Sequence, residues 1–349
     1  MLTFATTLGS RTWSNLQRML LGVLILFMLT VTVGCGGTAA TPAATAKPQA
    51  APAATLPLMP GGPGGQGGPG GMGSSITATP QYADIAYATA SVTQKLDLYL
   101  PQGDGPFPLV IALHPGGFMV GDKKQVDGVD QLLAQGYAVA SINYRLSAEA
   151  KAPAQIQDAK AAVRFLRAHA QEYKLNSQEF AAWGASAGGN LAALLGTSCG
   201  VAALEGADLG NANQSSCVQV VVDWFGPTDF LQMDQQFSGT SCPVNHNEAN
   251  SPESQLIGAA IQTKPELAKA ANPITYVTSK APPFFIQHGT ADCNVPPQQS
   301  QLLADALKSA IGADKVTLTF LQGAGHGGSQ FSDAANLKLV LDFLNKYLK

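Results

Sequence analysis

The sequence is poor in charge and in metal-binding side chains. Only 12% of its 349 residues are charged, and 20 basic against 23 acidic residues give a net charge of −3. Without a basic excess, the chain lacks the electrostatic footprint of a nucleic-acid-binding protein. It has five histidines and neither an H-E-x-x-H nor a Cys-x-x-Cys motif. We therefore expect no metal, no other cofactor and no nucleic-acid partner.

The first 35 residues have the features of an export signal. Arg11 and Arg18 precede an apolar run over residues 19–33, with no acidic residue before Cys35. The run is shorter than the roughly 20 residues that span a bilayer. It resembles a bacterial lipoprotein signal, whose cysteine is lipidated and starts the mature chain, although Thr32 stands where Leu, Val or Ile is usual. We expect residues 1–34 to be the signal and Cys35 to anchor an exported protein to a membrane; an ordinary cleaved signal is the alternative.

Residues 35–75 consist almost entirely of Ala, Pro, Gly, Thr and a few polar residues. Such a composition cannot bury enough apolar surface to fold. We expect a disordered linker there, and one folded domain over residues 76–349.

From residue 76, apolar strand patterns alternate with helical patterns. The expected strands cover residues 85–89, 96–100, 109–113, 138–143, 180–183, 218–225, 284–287 and 316–321, and the expected helices cover 154–172, 299–311 and 332–348. Strands that are apolar throughout and joined by helices predict an α/β fold with a mostly parallel sheet covered on both faces. The first two strands are expected to pair antiparallel. The polar stretch 226–282 is expected to form a cap-like insertion.

The run Gly184-Ala185-Ser186-Ala187-Gly188 fits the G-x-S-x-G motif. It follows an expected strand and precedes a helical apolar pattern, so Ser186 falls at a sharp strand-to-helix turn. This turn strains the serine backbone and requires small neighbours, and it exposes the hydroxyl for attack. Ser186 is therefore the expected nucleophile.

A glycine turn follows the expected strand 109–113. Gly116 and Gly117 let the backbone approach a substrate closely, and their amides can stabilise an oxyanion together with the amide of Ala187. Pro115 has no N–H to contribute. We expect His114 to be a hydrogen-bonded structural residue.

A catalytic acid and base are expected in the loops after the last two strands. Asp292 is favoured as the acid over Asp223 and Asp229, because it lies where it can orient a histidine at the carboxyl edge of the sheet. His326 lies in a loop of small residues, and an imidazole with a pKa near 6.5 can serve as base and then acid near neutrality. His169, His246 and His288 fit less well.

The chain order Ser186, Asp292, His326, each after a strand, is that of an α/β-hydrolase. From about residue 84 to 348 the chain resembles the esterase/lipase group related to hormone-sensitive lipase, most closely its bacterial feruloyl- and acetyl-esterase-like branch. The residues that carry the resemblance are His114-Pro115-Gly116-Gly117-Phe118, Asn143-Tyr144-Arg145-Leu146, Ala185-Ser186-Ala187-Gly188-Gly189-Asn190, Asp223-Trp224-Phe225-Gly226-Pro227-Thr228-Asp229 and the Asp292 and His326 loops. Pro115 departs from the glycine of many relatives.

The resemblance implies a serine esterase that cleaves a small-molecule ester through an acyl-enzyme. Acetyl or feruloyl groups on carbohydrate are the substrates it suggests. A small-peptide peptidase of the same fold and a catalytically silent binding protein are the alternatives. The sequence does not indicate an oligomeric state.

Four cysteines follow in the second half of the chain: Cys199, Cys217, Cys242 and Cys293. An even set suits disulfides in an exported domain, with three possible pairings. We favour Cys199–Cys217, which closes the loop after the nucleophile helix, and Cys242–Cys293, which joins the cap-like insertion to the Asp292 loop. Free buried thiols are the alternative.

Overall fold

Eight strands form one sheet in the computed structural model, which describes residues 76–242 and 245–349. The strands are β1 (Tyr82–Ala86), β2 (Lys95–Tyr99), β3 (Phe107–Leu113), β4 (Ala138–Ile142), β5 (Leu175–Ala185), β6 (Val220–Trp224), β7 (Phe284–Gly289) and β8 (Val316–Leu321). Their order is β1-β2-β4-β3-β5-β6-β7-β8. β2 runs antiparallel to β1 and β4, and all other pairs are parallel. The predicted α/β fold with its antiparallel first pair is confirmed.

Helices connect the strands and cover the sheet. They are α1 (Val129–Ala134), α2 (Ala154–Ala168), α3 (Ala187–Thr197), α4 (Ala202–Glu205), α5 (Met233–Phe237), α6 (Pro252–Ile257), α7 (Pro265–Ala270), α8 (Gln298–Ile311), α9 (Ser329–Ser332) and α10 (Ala334–Leu348). Within the two described ranges, no helix combines the length and the apolar character needed to cross a membrane. The expected signal, Cys35 and the expected linker lie outside the described residues.

Both faces of the sheet are buried, and β3 shows this directly. Leu109 and Ile111 belong to one apolar cluster, which includes residues of α2, α3 and α8, whereas Val110 and Ala112 belong to a second cluster with residues of α1 and α10. Because successive side chains of a strand point to opposite faces, a strand buried on both sides is apolar at every position. The continuous apolar runs of the sequence thus reflect a sheet between two helical layers.

The element boundaries differ most from the prediction at three places. β1 covers Tyr82–Ala86 instead of the expected 85–89, and the turn toward β2 follows the last bond between these segments, from the Tyr87 amide to the Gln94 carbonyl. α2 ends at Ala168, since the Leu175 amide bonds back to the carbonyl of Ala170 and the chain turns into the next strand. β5 is longer than its apolar run, since it begins at Leu175, which pairs with Phe107 of β3.

The insertion between β6 and β7 is built from short helices, among them α5, α6 and α7. Two of its turns are fixed by side chains, since Asp229 accepts from the Leu231 amide and Ser251 from the Ser254 amide. The first residue of α6, Pro252, approaches the turn at Gly117, where an added Cβ would lie 3.2 Å from the proline. This contact brings the cap-like insertion to the carboxyl edge of the sheet.

Candidate active site

Ser186 lies at a strained turn between β5 and α3. Its φ of 56° and ψ of −121° lie in a region that non-glycine residues rarely adopt. The turn is held by the Ser186 amide, which donates to the Trp224 carbonyl at 2.9 Å. The neighbours have no room for larger side chains, because a Cβ at Gly184 would overlap the backbone of Gly188, and one at Gly188 that of Leu113.

A continuous chain of hydrogen bonds joins the three predicted catalytic side chains. His326 Nε2 lies 2.8 Å from Ser186 Oγ, and His326 Nδ1 lies 2.7 Å from Asp292 Oδ2. Ser186 follows β5, Asp292 follows β7 and His326 follows β8. Parallel strands end at one edge of a sheet, so these loops meet although their residues are far apart in sequence. The arrangement can move a proton from a serine hydroxyl to an imidazole held by a carboxylate.

The Asp292 carboxylate is buried and accepts several hydrogen bonds. Oδ1 accepts from the amides of Asn294 at 2.8 Å and Val295 at 3.0 Å. Burial opposes its ionisation, but the hydrogen bonds and charges of His288 and His326 outweigh this effect and hold the pKa of Asp292 well below its usual range. A carboxylate that stays ionised near neutrality can orient His326 and stabilise an imidazolium.

The glycine turn after β3 lies beside this edge. Gly116 and Gly117 have positive φ, and the amides of Met119 and Val120 donate to the Gly116 carbonyl. Ala187 is the first residue of α3, a position whose amide has no acceptor within its own helix. The predicted oxyanion donors thus follow β3, in the case of Gly116 and Gly117, and β5, in the case of Ala187, and these two strands are neighbours in the sheet.

His114 is placed as a structural residue. Its Nδ1 lies 2.8 Å from the Pro115 carbonyl oxygen, and its ring stacks on Tyr144 with centroids 4.2 Å apart. Burial lowers the pKa of His114 to about 4. A neutral ring in these surroundings supports the turn.

The rival acids and bases occupy other places. Asp229 caps a short helical turn in the insertion, and Asp223 is buried at the end of β6, where it accepts from the Gly226 amide at 3.0 Å. His169 bonds to the Phe165 carbonyl at the end of α2, and His246 pairs with Glu253 in the insertion.

Sequence reasoning gave no catalytic position to two aromatic residues that contact the triad. Phe225, at a positive φ of 42°, packs its ring edge-on to His326 with centroids 4.8 Å apart. His288 Nε2 lies 3.2 Å from Asp292 Oδ2 and 2.9 Å from the Val295 carbonyl oxygen. The spacing of His288, four residues before Asp292, was the only sequence signal for the second contact.

The structure contains both favoured disulfides. Cys199–Cys217 closes the segment between α3 and β6. Cys242–Cys293 joins the insertion to the residue next to Asp292. The second bridge therefore restrains the loop that carries the buried carboxylate.

In the described ranges, no group of three or more His, Cys, Asp or Glu side chains is arranged to hold a metal ion. What the site offers is a serine, an imidazole, a carboxylate and backbone amides, which is a set suited to acyl transfer.

The family model BD-FAE matches residues 96–307. The chain is 32% identical over 225 residues to "Esterase LipC" of Mycobacterium tuberculosis, covering 64% of this chain and 53% of LipC. It is 30% identical to "Esterase LipQ" of the same organism, covering 70% of this chain and 57% of LipQ. The chain thus spans about half the length of the curated relatives it matches.

A solved "Truncated form of carbohydrate esterase from gut microbiota" shares the fold with a TM-score of 0.71 and 33% identity, covering 79% of this chain and 99% of that one. The chain therefore matches nearly the whole of that structure.

Proposed function

Because this chain belongs to the BD-FAE family, we propose that it is a serine hydrolase that cleaves carboxylic esters through an acyl-enzyme. The observation that carries the proposal is the hydrogen-bond chain from Ser186 Oγ through His326 to Asp292, at 2.8 Å and 2.7 Å. The similarity to esterases of known structure and to curated esterases supports the same chemistry.

In the proposed reaction, His326 takes the proton of Ser186 while Oγ attacks the ester carbonyl carbon. The amides of Gly116, Gly117 and Ala187 stabilise the oxyanion of the tetrahedral intermediate. His326 then protonates the leaving alcohol, and the acyl group remains on Ser186. A water molecule, deprotonated by His326, attacks the acyl-enzyme, releases the acid and restores the serine. Asp292 keeps the Nδ1–H tautomer of His326 oriented throughout.

The substrates we propose are short-chain acyl or aryl esters, including acetyl or feruloyl groups carried by carbohydrate. The similarity to a solved carbohydrate esterase supports the esters of carbohydrate.

We further propose that Cys35 is lipidated and tethers the catalytic domain to a membrane through residues 35–75, outside the cytoplasm. The composition of the N-terminal sequence carries that part of the proposal.

The test is hydrolysis of p-nitrophenyl esters from acetate to decanoate by the wild-type protein and by Ser186→Ala. We expect the highest kcat/KM on the shortest acyl chains, and loss of essentially all activity in the variant with its circular dichroism unchanged. A folded wild type that cleaves none of the esters would refute the proposal. Residual activity of Ser186→Ala near the wild-type level would refute the assignment of the nucleophile.

A further inference from the structure

A cavity of about 550 Å³ opens between the cap-like insertion and the loop after β7. Its volume lies within the range of roughly 300–1,000 Å³ that is usual for small-molecule sites. One wall is formed by the insertion around Gln236 and Phe237, and the other by the loop from Thr290 to the start of α8 at Gln298, with Phe320 of β8 beside it. Both walls end at the carboxyl edge of the sheet, the edge that holds Ser186.

The described residues that line this cavity are almost all uncharged. Their single ionisable side chain is Asp292, whose carboxylate is fully buried and directed to His326 and His288. A charged ligand would find no opposite charge there, and it would lose its hydration without compensation. A neutral ligand carries no such penalty.

The lining combines amides and hydroxyls with aromatic rings. Gln298 is exposed, and the side-chain oxygen of Gln236 already accepts from Gln299 at 2.7 Å, which leaves its NH₂ group to donate. Phe237 and Phe320 provide apolar surface. A sugar ring has this same combination, because its hydroxyls exchange hydrogen bonds with amides while its C–H faces pack on aromatic rings.

The cavity does not border the expected acyl position. Neither Ser186 nor the amides of Gly116, Gly117 and Ala187 contribute to its lining. It borders the nucleophile only through the Asp292 loop, since Asp292 holds His326 and His326 holds Ser186. A substrate whose ester lies at Ser186 could reach the cavity only with a part that extends away from the reacting carbonyl.

We propose that this cavity is a subsite for the saccharide part of an acylated glycan. The ester group lies at Ser186, and the glycan chain runs along the carboxyl edge of the sheet into the space between the insertion and the Asp292 loop. This inference rests on the proposed esterase function and specifies its alcohol side.

The test compares two acetyl esters that differ in their alcohol. The full-length enzyme and Gln298→Ala are assayed on p-nitrophenyl acetate and on acetylated xylotetraose. Gln131→Ala, an exposed glutamine on α1 outside the cavity, is the matched control. We expect Gln298→Ala to lower kcat/KM on the tetrasaccharide about tenfold, chiefly through KM, since one lost hydrogen bond has about that effect. We expect p-nitrophenyl acetate hydrolysis to stay within about twofold, and Gln131→Ala to change neither.

Equal effects of Gln298→Ala on both esters would overturn the subsite, as would a wild type that cleaves p-nitrophenyl acetate but not the tetrasaccharide. A loss confined to long acyl or feruloyl esters would identify the cavity as an acyl pocket and also overturn it. Calorimetric titration of Ser186→Ala with the same tetrasaccharide measures binding without turnover. If the wild type cleaves no ester but the sugar binds and Gln298→Ala weakens it, the esterase proposal fails and the saccharide site stands.

Discussion

The carboxylate of Asp292 is held by more groups than a catalytic triad needs. His288 is fully buried, and its Nε2 contacts both Asp292 Oδ2 and the Val295 carbonyl oxygen. Because a carbonyl can only accept, Nε2 carries the hydrogen, and Nδ1 lies 2.7 Å from the Ser300 hydroxyl oxygen. His288 thus contacts Oδ2, the same carboxylate oxygen that His326 Nδ1 contacts, and acts as a positioning residue.

Loss of this support should slow the reaction without weakening substrate binding. We expect His288→Ala to lower kcat about 10- to 100-fold, since a hydrogen bond to a charged group contributes about 1.5–3 kcal/mol. KM should change little, because His288 is fully buried and cannot contact bound substrate. The pKa of Asp292 should rise, because its ionised form loses a donor.

The control for His288 is His288→Gln, whose amide can donate to the same carboxylate. We expect this variant to recover a large part of kcat. If both variants lose kcat equally, the ring contributes only packing, and the hydrogen bond to Asp292 does not position the triad.

A second buried carboxyl affects stability rather than the reaction. Burial raises the pKa of Asp223 to about 6, against the hydrogen bond from the Gly226 amide and the charge of His288. Its pKa in the unfolded chain is about 3.9. Between pH 4 and 6 the native state therefore holds more protons than the unfolded state, so the free energy of unfolding falls as pH rises through this window.

Asp223→Asn should remove the fall in the free energy of unfolding that accompanies a rise in pH from 4 to 6. Its side-chain oxygen can still accept from the Gly226 amide, but no charge has to be buried. We expect the free energy of unfolding in urea to rise by about 2–3 kcal/mol at pH 8, and to change little at pH 4. Asp104→Asn, at an exposed position, is the control. A stabilisation that is equal at both pH values would contradict the explanation.

Some residues of the proposed active site could be predicted from the sequence, and others could not. Ser186 and the glycines around it could be predicted because a strand-to-helix turn permits only small residues near the nucleophile. Asp292 and His326 could be predicted from their positions after strands. The contacts of His288 and Phe225 with the triad could not be predicted, because they depend on side-chain directions, which the four-residue spacing of His288 and Asp292 does not fix.

Among the elements, the insertion and the Asp292 loop are linked by Cys242–Cys293. The other bridge, Cys199–Cys217, lies between α3 and β6 and joins no residue of the triad loops. The two bridges span 51 and 18 residues. Loop-closure entropy assigns each a stabilisation of about 3–4 kcal/mol. Loss of either bridge should therefore lower the stability of the protein by a similar amount, whereas only loss of Cys242–Cys293 should lower its activity.

We expect Cys242→Ser/Cys293→Ser to lower kcat/KM for p-nitrophenyl acetate about tenfold or more, because the Asp292 loop loses its tether and misplacement of a catalytic group is costly. Cys199→Ser/Cys217→Ser should lose comparable stability in urea but keep its activity under native conditions. Unchanged activity after loss of Cys242–Cys293 would show that the hydrogen bonds of Asp292 hold the loop by themselves.

The long elements were predictable because the strands are apolar on both faces and helices such as α2 repeat their apolar residues on one face. The helices of the insertion were not, since α5, α6 and α7 have five or six residues each and are too short for a periodic pattern. Their positions depend on packing against the sheet edge, which the sequence does not show.

For the molecule as a whole, the mostly parallel α/β fold followed from the sequence, whereas the cavity did not. Its walls come from residues 236–242 and 290–298, which are far apart in the chain and meet only because β6 and β7 are neighbours. At the same scale, the lack of a basic excess argues against a nucleic-acid partner. The prediction of a membrane anchor comes from the N-terminal sequence alone.

The proposed lipid anchor at Cys35 lies outside the proposed active site, so its loss should change where the protein is found but not its activity. We expect Cys35→Ser, expressed with its export signal in a bacterial host, to move from the membrane pellet to the soluble fraction, because buried acyl chains contribute about 0.8 kcal/mol per CH₂ to membrane binding. Its kcat/KM for p-nitrophenyl acetate should stay within about twofold, since the proposed active site lies entirely in residues 114–326. Thr38→Ala, three residues away, should remain in the pellet. A Cys35→Ser protein that still sediments with membranes would show that another segment holds the chain there.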